Sequence, residues 1–263
     1  MRRFTADYLE ETRRGMWADR SALASLQLPS LERVLDVGCG TGELTRVLCE
    51  ETPGEVVAVD ADPALLAHVD AHERVLGDAT RLPVRDDAFD LVVCQALLIN
   101  LPDPGAAVGE FARVSSDLVA VVEPDNAAVS VESSVDAEPR LARRAREAYI
   151  AGVETDVTLG AAAADLLADA GFEDVTTTRH DHVRIVESPY DERDLEAAAR
   201  KATADRLGDQ RATMLAGDLD SGEYDELRAD WREMGRTAVE QMREGDYERR
   251  ETTPFFVTVG RAP

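Results

Sequence analysis

The sequence predicts an α/β fold built on a doubly wound, mostly parallel sheet. Short, continuously apolar runs alternate with amphipathic segments between residues 31 and 123, and a glycine-rich turn directly follows the first run. Continuous apolar strands indicate a parallel sheet whose two faces are both covered by helices. A glycine-rich connection from strand to helix is typical of the ligand-binding edge of such sheets.

The predicted elements follow one another in a regular order. The apolar runs fit strands at 34–37, 56–59, 75–76, 89–94 and 118–122. Asp62-Pro63 and Asp103-Pro104 each indicate a helix start, with aspartate as N-cap and proline at the first helical position. The linker 77–88 is too polar and irregular to predict a full crossover helix.

The pattern loosens in the second half of the chain. One helix is predicted to end at Gly152, and another spans 159–170 and is closed by Gly171. A long strand of mixed polarity is predicted from Val175 to Val186, and a last strand from Phe255 to Val259.

We therefore divide the chain into three parts. Residues 1–29 are expected to form an N-terminal helical cap, residues 30–188 with 252–263 the sheet domain, and residues 189–251 a charged helical insertion. Apolar residues at helical spacing predict one long helix in the insertion: Leu227, Trp231, Met234, Ala238 and Met242. We interpret this face as core, although its methionines also suit an adaptable apolar pocket.

The composition restricts the possible partners. The 263 residues include 53 Asp and Glu against 29 Lys and Arg, for a formal net charge of −24, and Lys201 is the only lysine. We interpret this acidic, lysine-poor composition as halophilic, with an ordinary acidic mesophile protein as the alternative. The charge disfavours a nucleic-acid partner, because phosphates would be repelled.

Membrane insertion, secretion and metal binding are not indicated. No stretch approaches the roughly 20 apolar residues that span a membrane, and the start lacks the apolar run of a secretory signal. We expect a cytoplasmic protein. Cys39, Cys49 and Cys94 show no CxxC spacing, which indicates free thiols and no zinc site.

The segment RVLDVGCGTG, residues 33–42, is the strongest site signal. Its glycines permit positive φ angles and a close approach of ligand to backbone, and free amides at a helix start favour an anionic group. A dinucleotide site would use GxGxxG, but here Glu43 occupies the place of the last glycine, where it would repel a pyrophosphate. Asp36 adds a negative charge, which suits a ligand that carries an ammonium and a sulfonium.

Two further acids follow strands at the same edge. Asp60 ends the second strand in VVAVDAD and is placed to accept both hydroxyls of a ribose. A helix-capping role is the alternative, but Asp62 already fills it. In GDATRLP, Asp78 could accept from an adenine amino group, with the Ala79 backbone at the ring edge.

The segments RVLDVGCGTG, VVAVDAD, GDATRLPVRDDAFD and LVVCQALL, in this order, resemble the class I S-adenosylmethionine-dependent methyltransferases. The similarity is greatest to the small-molecule branch that includes quinone-biosynthesis methyltransferases. It implies a Rossmann-like, seven-stranded sheet whose final antiparallel hairpin comes from the Val175 and Phe255 strands. It also implies that residues 189–251 form a substrate lid.

The resemblance implies a set of cofactor-binding residues. Asp36 would lie near the amino group of S-adenosylmethionine, Asp60 on the ribose, and Asp78 with Ala79 on the adenine. The methionyl part would contact Gly38, Cys39 and Gly40, with Gln95 at its flank. The segment ALLINLPDP, residues 96–104, departs from relatives that carry an aromatic or histidine there, so the acceptor pocket cannot be transferred.

The sequence does not identify the catalytic residues. His180 and His182 lie two apart on a predicted strand and share one face, and we interpret them as solvent-facing edge residues. Tyr8, Arg13, Arg14 and Trp17 either fold over the cofactor mouth or only pack the N-terminal helix. We expect a methyltransferase for a small-molecule acceptor. The alternatives are a non-catalytic S-adenosylmethionine-binding module and, less favoured, an NAD-dependent oxidoreductase.

Overall fold

The computed structural model describes residues 5–263, which form two compact units. The first comprises the described chain up to Asp125, Thr158–His180 and Pro254–Pro263. The second comprises Asn126–Val157 and Asp181–Thr253, and so includes the predicted insertion together with flanking segments. No helix between residues 5 and 263 combines the length and apolar character needed to cross a membrane.

Strands and helices are numbered along the chain. The strands are β1 (Arg33–Val37), β2 (Glu55–Asp60), β3 (Glu73–Leu76), β4 (Phe89–Gln95), β5 (Ser115–Pro124), β6 (Ser130–Ser133), β7 (Glu173–Val186) and β8 (Arg249–Arg261). The α-helices are α1 (Ala6–Arg13), α2 (Glu43–Glu51), α3 (Pro63–Leu66), α4 (Pro104–Val114), α5 (Glu138–Gly152), α6 (Ala163–Asp169), α7 (Glu192–Thr203), α8 (Asp205–Asp209), α9 (Arg211–Ala216) and α10 (Ser221–Glu244).

The sheet of the first unit has the strand order β3-β2-β1-β4-β5-β8, and β7 pairs with β8. The first five strands are parallel and β8 runs antiparallel to β5. Thr177 lies opposite Thr258, and Val175 lies beside Gly260, so β7 and β8 are antiparallel to each other. The predicted α/β class, the mostly parallel sheet and the closing hairpin are confirmed. The predicted number of seven strands is wrong: among residues 5–263 the sheet has eight, because the short strand β6 also pairs with β8.

The central strands are apolar on both faces, as their sequences predict. In β1, Leu35 and Val37 contribute to one apolar core and Val34 to another, because successive side chains point to opposite faces. Helix starts also follow local chemistry. The Asp62 carboxylate accepts from the Ala64 amide at 2.9 Å at the start of α3, and Asp103 has the same role at α4.

The N-terminal part of the described chain is less regularly helical than predicted. It contains α1 and two short 3-10 helices, Ser21–Leu26 and Leu28–Ser30. Met16, Trp17 and Leu26 are buried in the core that also contains Val34. This segment is therefore packed against the sheet of its own unit. The described linker 77–88 forms turns, as its irregular sequence indicates.

The second unit is mainly helical. Its strand β6 pairs antiparallel with residues 249–252 of β8, and the sequence did not predict it because SVES is short and polar. The predicted long helix is α10, and its apolar face lies in the unit's core, as we interpreted it. Gly235 is required there, because a Cβ would lie 2.4 Å from the Ala202 nitrogen of α7. Gly245, with φ +86°, ends α10.

A buried ionic cluster lies within this second unit. The Glu138 carboxylate accepts from Lys201 Nζ at 2.6 Å, from Arg249 Nε at 2.9 Å and from Tyr247 Oη at 2.8 Å. Burial would raise the pKa of Glu138, but the charges of Lys201 and Arg249 outweigh it and lower that pKa. We call these four residues the Glu138 cluster. Its members are far apart in sequence, so no local pattern could have predicted it.

Candidate active site

The predicted site residues lie at the carboxyl ends of four neighbouring strands. In the sheet register, Val37 of β1 pairs with Val59 of β2 and Cys94 of β4, and Asp60 pairs with Leu76 of β3. The strands therefore end nearly level. Side chains and loops that follow them share one edge of the sheet, which is where doubly wound sheets bind ligands.

The loop between β1 and α2 has the backbone that its glycines predict. Gly38, Gly40 and Gly42 have φ angles of +70°, +56° and +85°. A Cβ on Gly38 would lie 2.7 Å from Leu97 Cδ1, and one on Gly40 would lie 3.0 Å from Leu9 Cδ1. Apolar side chains thus contact the loop closely, and larger residues at these two positions would displace them.

The hydrogen bonds of this loop correct one expectation. The Gly38 and Cys39 amides donate to the Val59 carbonyl at 2.7 and 3.1 Å, and the Gly40 amide donates to Asp60 Oδ2 at 2.8 Å. The prediction that free amides here favour an anionic group is wrong for these three, because the loop folds back onto the end of β2. A pyrophosphate would find none of the three available.

Asp60 is held from both sides by the backbone. Its Oδ2 accepts from the Gly40 amide, and its Oδ1 accepts from the Asp62 amide at 2.8 Å. A carboxylate oxygen can accept two hydrogen bonds, so each oxygen retains acceptor capacity. The side chain is 9% exposed at the strand end. It is therefore a fixed pair of acceptors at the edge of the sheet.

Asp36 is buried beside it with little compensation. It is 1% exposed, and its Oδ2 accepts from Thr45 Oγ1 at 2.6 Å. Burial raises the pKa of Asp36 to about 6, and the negative charge of Asp60 adds to that rise. The hydrogen bond from Thr45 and the charge of Arg13 act against it. A cation placed next to this carboxylate would stabilise its ionised form.

Asp78 and Ala79 follow β3 at the same edge. The Gly77 amide donates to the Asp60 carbonyl at 3.0 Å, which ties this turn to the end of β2. Asp78 is exposed, and its Oδ1 accepts from the Thr80 amide at 2.9 Å, which lowers the pKa of Asp78. The structure thus brings Asp78 next to the Asp60 strand end, with the buried Ala79 beyond it.

Gln95 ends β4 and contacts the N-terminal segment. It is 2% exposed, and its Oε1 accepts from Trp17 Nε1 at 3.0 Å. Its Nε2 lies 3.2 Å from Met16 Sδ. Both polar atoms of the side chain therefore hold residues 16 and 17 in place.

The N-terminal segment lies on the glycine loop within the first unit. Leu9 of α1 contacts Gly40, as described above, and Trp17 binds Gln95. The positive charge of Arg13 interacts with Asp36 and with Glu123, and burial lowers the pKa of Arg13. The segment thus both packs the unit and closes one side of the candidate site.

The interpretation of His180 and His182 as solvent-facing residues is wrong. His180 stacks on Trp17 with ring centroids 5.2 Å apart, and its Nε2 lies 2.9 Å from the Met16 carbonyl oxygen. His182 is 4% exposed. The two-residue spacing correctly gave a shared face, but it could not show which structures cover that face.

Glu123 is a residue of this site that sequence reasoning did not single out. It lies near the end of β5, is fully buried, and its Oε1 accepts from the Leu97 and Leu98 amides at 3.0 and 2.8 Å. Burial raises the pKa of Glu123 to about 7, although these amide bonds act against the rise. A single acid after the apolar run of β5 was the available signal. Its role is to hold the start of the 3-10 helix Leu98–Asn100.

Nucleophilic and metal chemistry have little support in the described residues. Burial raises the pKa of the Cys39 thiol far above its usual value, so the thiol stays protonated. Among residues 5–263, no group of three His, Cys, Asp or Glu side chains is placed to hold a metal ion.

The chain is similar in sequence to known methyltransferases. A family model described as a methyltransferase domain matches residues 35–117. The chain is 36% identical over 173 residues to the demethylmenaquinone methyltransferase of Mycolicibacterium paratuberculosis, which covers 60% of this chain and 74% of the relative. It is 33% identical over 132 residues to that of Lactiplantibacillus plantarum, covering 46% of this chain and 53% of the relative.

The fold is also shared with a solved structure. The chain is similar to a candidate methyltransferase of Bacillus halodurans with a TM-score of 0.52 and 19% identity, which covers 93% of this chain and 99% of the other. At that identity the likeness shows the fold alone. The chain spans about half the length or less of other curated relatives that it matches, at 53% and 42%. The acceptor of those relatives is therefore not transferred with the match.

Proposed function

Since the chain belongs to the class I S-adenosylmethionine-dependent methyltransferases, we propose that it transfers a methyl group from S-adenosylmethionine to a small-molecule acceptor. One observation carries the proposal beyond family membership. Two carboxylates, Asp36 and Asp60, lie at adjacent strand ends, and the loop amides between them are already engaged. This arrangement favours a ligand with hydroxyls and positive charge.

The residues present fit this cofactor. Asp60 offers acceptor capacity on both oxygens, which suits the two ribose hydroxyls. Asp36 is buried with a raised pKa, so an ammonium would interact favourably with its ionised form. Asp78 and Ala79, at the end of β3, are proposed for the adenine, and Gly38, Cys39 and Gly40 for the methionyl part. A dinucleotide would instead bring its pyrophosphate towards two carboxylates.

The chain's own contribution to the reaction is alignment and exclusion of water. S-adenosylmethionine supplies a methyl group that is already activated by its sulfonium. Gly38 and Gly40 let Leu97 and Leu9 pack closely against the loop backbone, and we propose that these apolar side chains exclude water from the site. Holding donor and acceptor in line can provide much of the rate enhancement.

No general base is assigned. The pKa of about 7 would let Glu123 exchange a proton near neutral pH. However, its Oε1 accepts from two amides and its Oε2 lies 3.4 Å from the Ile99 nitrogen. We therefore propose that Glu123 positions the Leu98–Asn100 turn and does not accept a proton from the acceptor.

The acceptor class follows from the relatives as a proposal only. Several matched relatives are named demethylmenaquinone methyltransferases. An apolar naphthoquinone is therefore the first acceptor to test, in oxidised and reduced form, followed by phenols and amines.

Four further expectations stay predictions: a substrate lid in residues 189–251, adaptation to high salt, a cytoplasmic location and the absence of a nucleic-acid partner.

The test combines binding with turnover. Calorimetry should show binding of S-adenosylmethionine and S-adenosylhomocysteine but not of NAD, and the acceptor panel should release S-adenosylhomocysteine with at least one member. Binding of NAD alone would contradict the proposal and favour an oxidoreductase. Cofactor binding without turnover across the whole panel would favour the non-catalytic module.

A further inference from the structure

A cavity of about 790 Å³ lies in the first unit, outside the candidate active site. Its lining includes the apolar side chains of Val57, Val75 and Phe89 from the sheet and of Leu82 from the linker that follows β3. This volume falls within the range of small-molecule sites, which are largely apolar with a few polar groups.

The cavity exists because β3 and β4 are joined without a helix. A parallel crossover ordinarily lays a helix on the sheet, but residues 77–88 form turns. The turns cover Val57 and Phe89, which are each 2% exposed, and leave a cavity beside them. Arg33, Glu73 and Phe89, which line the cavity, are the first residues of their strands. The cavity therefore extends towards the amino ends of these strands, whereas the candidate active site lies at their carboxyl ends. Arg81 adjoins both, because its amide donates to the Asp78 carbonyl at 2.9 Å.

Positive charge is concentrated around this cavity. Two acids, Glu73 and Glu110, line it, and they are outnumbered by four arginines: Arg33, Arg81, Arg85 and Arg113. Across the whole chain, by contrast, 53 acidic residues outnumber 29 basic ones. Arg33 is paired with Glu55, and Arg113 with Glu110 and Asp86. The positive charge that would favour an anionic ligand therefore comes from Arg81 and Arg85. We call the cavity with its four arginines the arginine groove.

Arg113 is built into the wall of the arginine groove. Its guanidinium donates to the Leu82 and Val84 carbonyls at 3.1 and 3.0 Å and pairs with Glu110 at 2.7 Å. Glu110 in turn accepts from the Leu82 amide at 2.8 Å. These bonds hold the linker 77–88 where a crossover helix would otherwise lie. The ion pair also neutralises the charge of Glu110.

The other arginines differ in their engagement. Arg33 donates to the Ala88 carbonyl at 2.9 Å and pairs with Glu55 at 3.3 Å, and its guanidinium lies 4.8 Å from the centre of the Phe89 ring. Arg81 and Arg85 are exposed, and neither guanidinium forms a hydrogen bond or ion pair with another residue between 5 and 263. The guanidinium groups of Arg81 and Arg85 can therefore bind a ligand beside the apolar lining of the cavity.

We propose that the arginine groove binds a small amphiphilic carboxylate, whose apolar body lies on Val75, Pro83 and Val84 and whose carboxylate pairs with Arg81 and Arg85. The proposed ligand needs both an apolar body and a negative charge. A neutral molecule would not pair with Arg81 and Arg85, and a small inorganic anion would not contact the apolar lining of the cavity. Arginine is well suited to carboxylates because its planar group can donate two parallel hydrogen bonds.

The test uses decanoate as the probe and the full chain as the protein. Calorimetry should show decanoate binding that weakens at least about tenfold in the double variant Arg81→Gln with Arg85→Gln. Arg143→Gln is the matched control, because Arg143 is an exposed arginine in the other unit, and it should leave the affinity unchanged. Decanol, of equal chain length, should bind at least tenfold more weakly than decanoate.

Three results would overturn the proposal. They are an unchanged affinity in the double variant, equal affinity for decanol, and displacement of decanoate by S-adenosylhomocysteine. The last would place the probe in the candidate active site. Because decanoate binding is measured without turnover, failure here would leave the proposed methyl transfer unaffected, and failure of methyl transfer would leave the arginine groove standing.

Discussion

The pKa values of carboxylates are shifted in opposite directions in the two units. In the first unit, Asp36 accepts from a hydroxyl and Glu123 from backbone amides, and burial raises their pKa values to about 6 and about 7. In the second, the buried Glu138 and the partly buried Glu251 accept from cationic side chains. There, positive charges outweigh burial, so the pKa of Glu138 is lowered and that of Glu251 falls to about 2.

The difference separates a structural arrangement from a functional one. Burying a carboxylate costs free energy unless opposite charge compensates it. The Glu138 cluster supplies that charge within the protein, so it needs no ligand. The strand-end carboxylates have only Arg13 as a nearby cation among the interactions that set their pKa values. Glu123 is engaged by the amides of the Leu98–Asn100 turn, whereas a cationic ligand can supply the compensation that Asp36 lacks, which is why we propose Asp36 for cofactor binding.

The largest effect is expected from breaking the compensated cluster. Lys201→Met leaves the buried Glu138 with Arg249 as its remaining cationic hydrogen-bond donor among residues 5–263, and we expect a loss of about 3 kcal/mol in the free energy of unfolding. Urea unfolding measures it. Adding Glu138→Gln to this variant should restore part of the loss. A change below about 1 kcal/mol in the single variant would show that the cluster is not what stabilises the second unit.

Asp60→Asn should have the next largest effect, on ligand binding. The substitution removes the charge and one of the two acceptor oxygens, and hydrogen bonds to charged groups contribute about 1.5–3 kcal/mol each. We expect binding of S-adenosylhomocysteine to weaken about 100-fold, measured by calorimetry. Asp62→Asn is the control, since Asp62 caps α3 and its side chain has no role in the proposed site. Equal weakening by both variants would indicate loop distortion alone.

Asp36→Asn should stabilise the ligand-free protein at pH 8. Because the folded-state pKa of Asp36, about 6, lies above its usual 3.8, this group favours folding at low pH and loses that contribution as pH rises through about 6. A neutral side chain removes the penalty of the buried ion, worth about 1–3 kcal/mol above pH 7. Urea unfolding at pH 5 and pH 8 checks it. Destabilisation at pH 8 would mean that the Asp36 charge is already compensated.

The smallest of these effects is expected at the N-terminal segment. Trp17→Phe keeps an aromatic ring beside His180 but is smaller than the buried indole, and it removes the hydrogen bond to the buried Gln95 oxygen. The lost hydrogen bond alone costs about 1–2 kcal/mol. Thermal unfolding measures the loss. Trp231→Phe, in the partly buried part of the second unit's core, is the control for a tryptophan substitution. Equal shifts in the two variants would show that the Gln95 bond adds nothing specific.

Much of the fold, and the gathering of the candidate site residues at one edge of the sheet, could be predicted because their signals are local. The apolar runs correctly predicted β1 and β2, and the Asp-Pro pairs correctly predicted the starts of α3 and α4. Strand ends then placed Asp60 at the ligand-binding edge. The predictions that failed concern contacts between residues that are distant in sequence. The glycine-loop amides bind the end of β2, and Gln95 binds Trp17, 78 residues away. No local pattern reports such partners.

The central claim is that the buried and weakly compensated carboxylate of Asp36 binds the ammonium group of the cofactor, and it makes a direct prediction about protons. With a pKa of about 6, Asp36 is close to half protonated at pH 6 in the free protein. An ammonium bound beside it would drive that proton off. S-adenosylhomocysteine binding at pH 6, measured by calorimetry in two buffers of different ionisation enthalpy, should release about half a proton more than in Asp36→Asn. Equal proton release by the two proteins would contradict the claim.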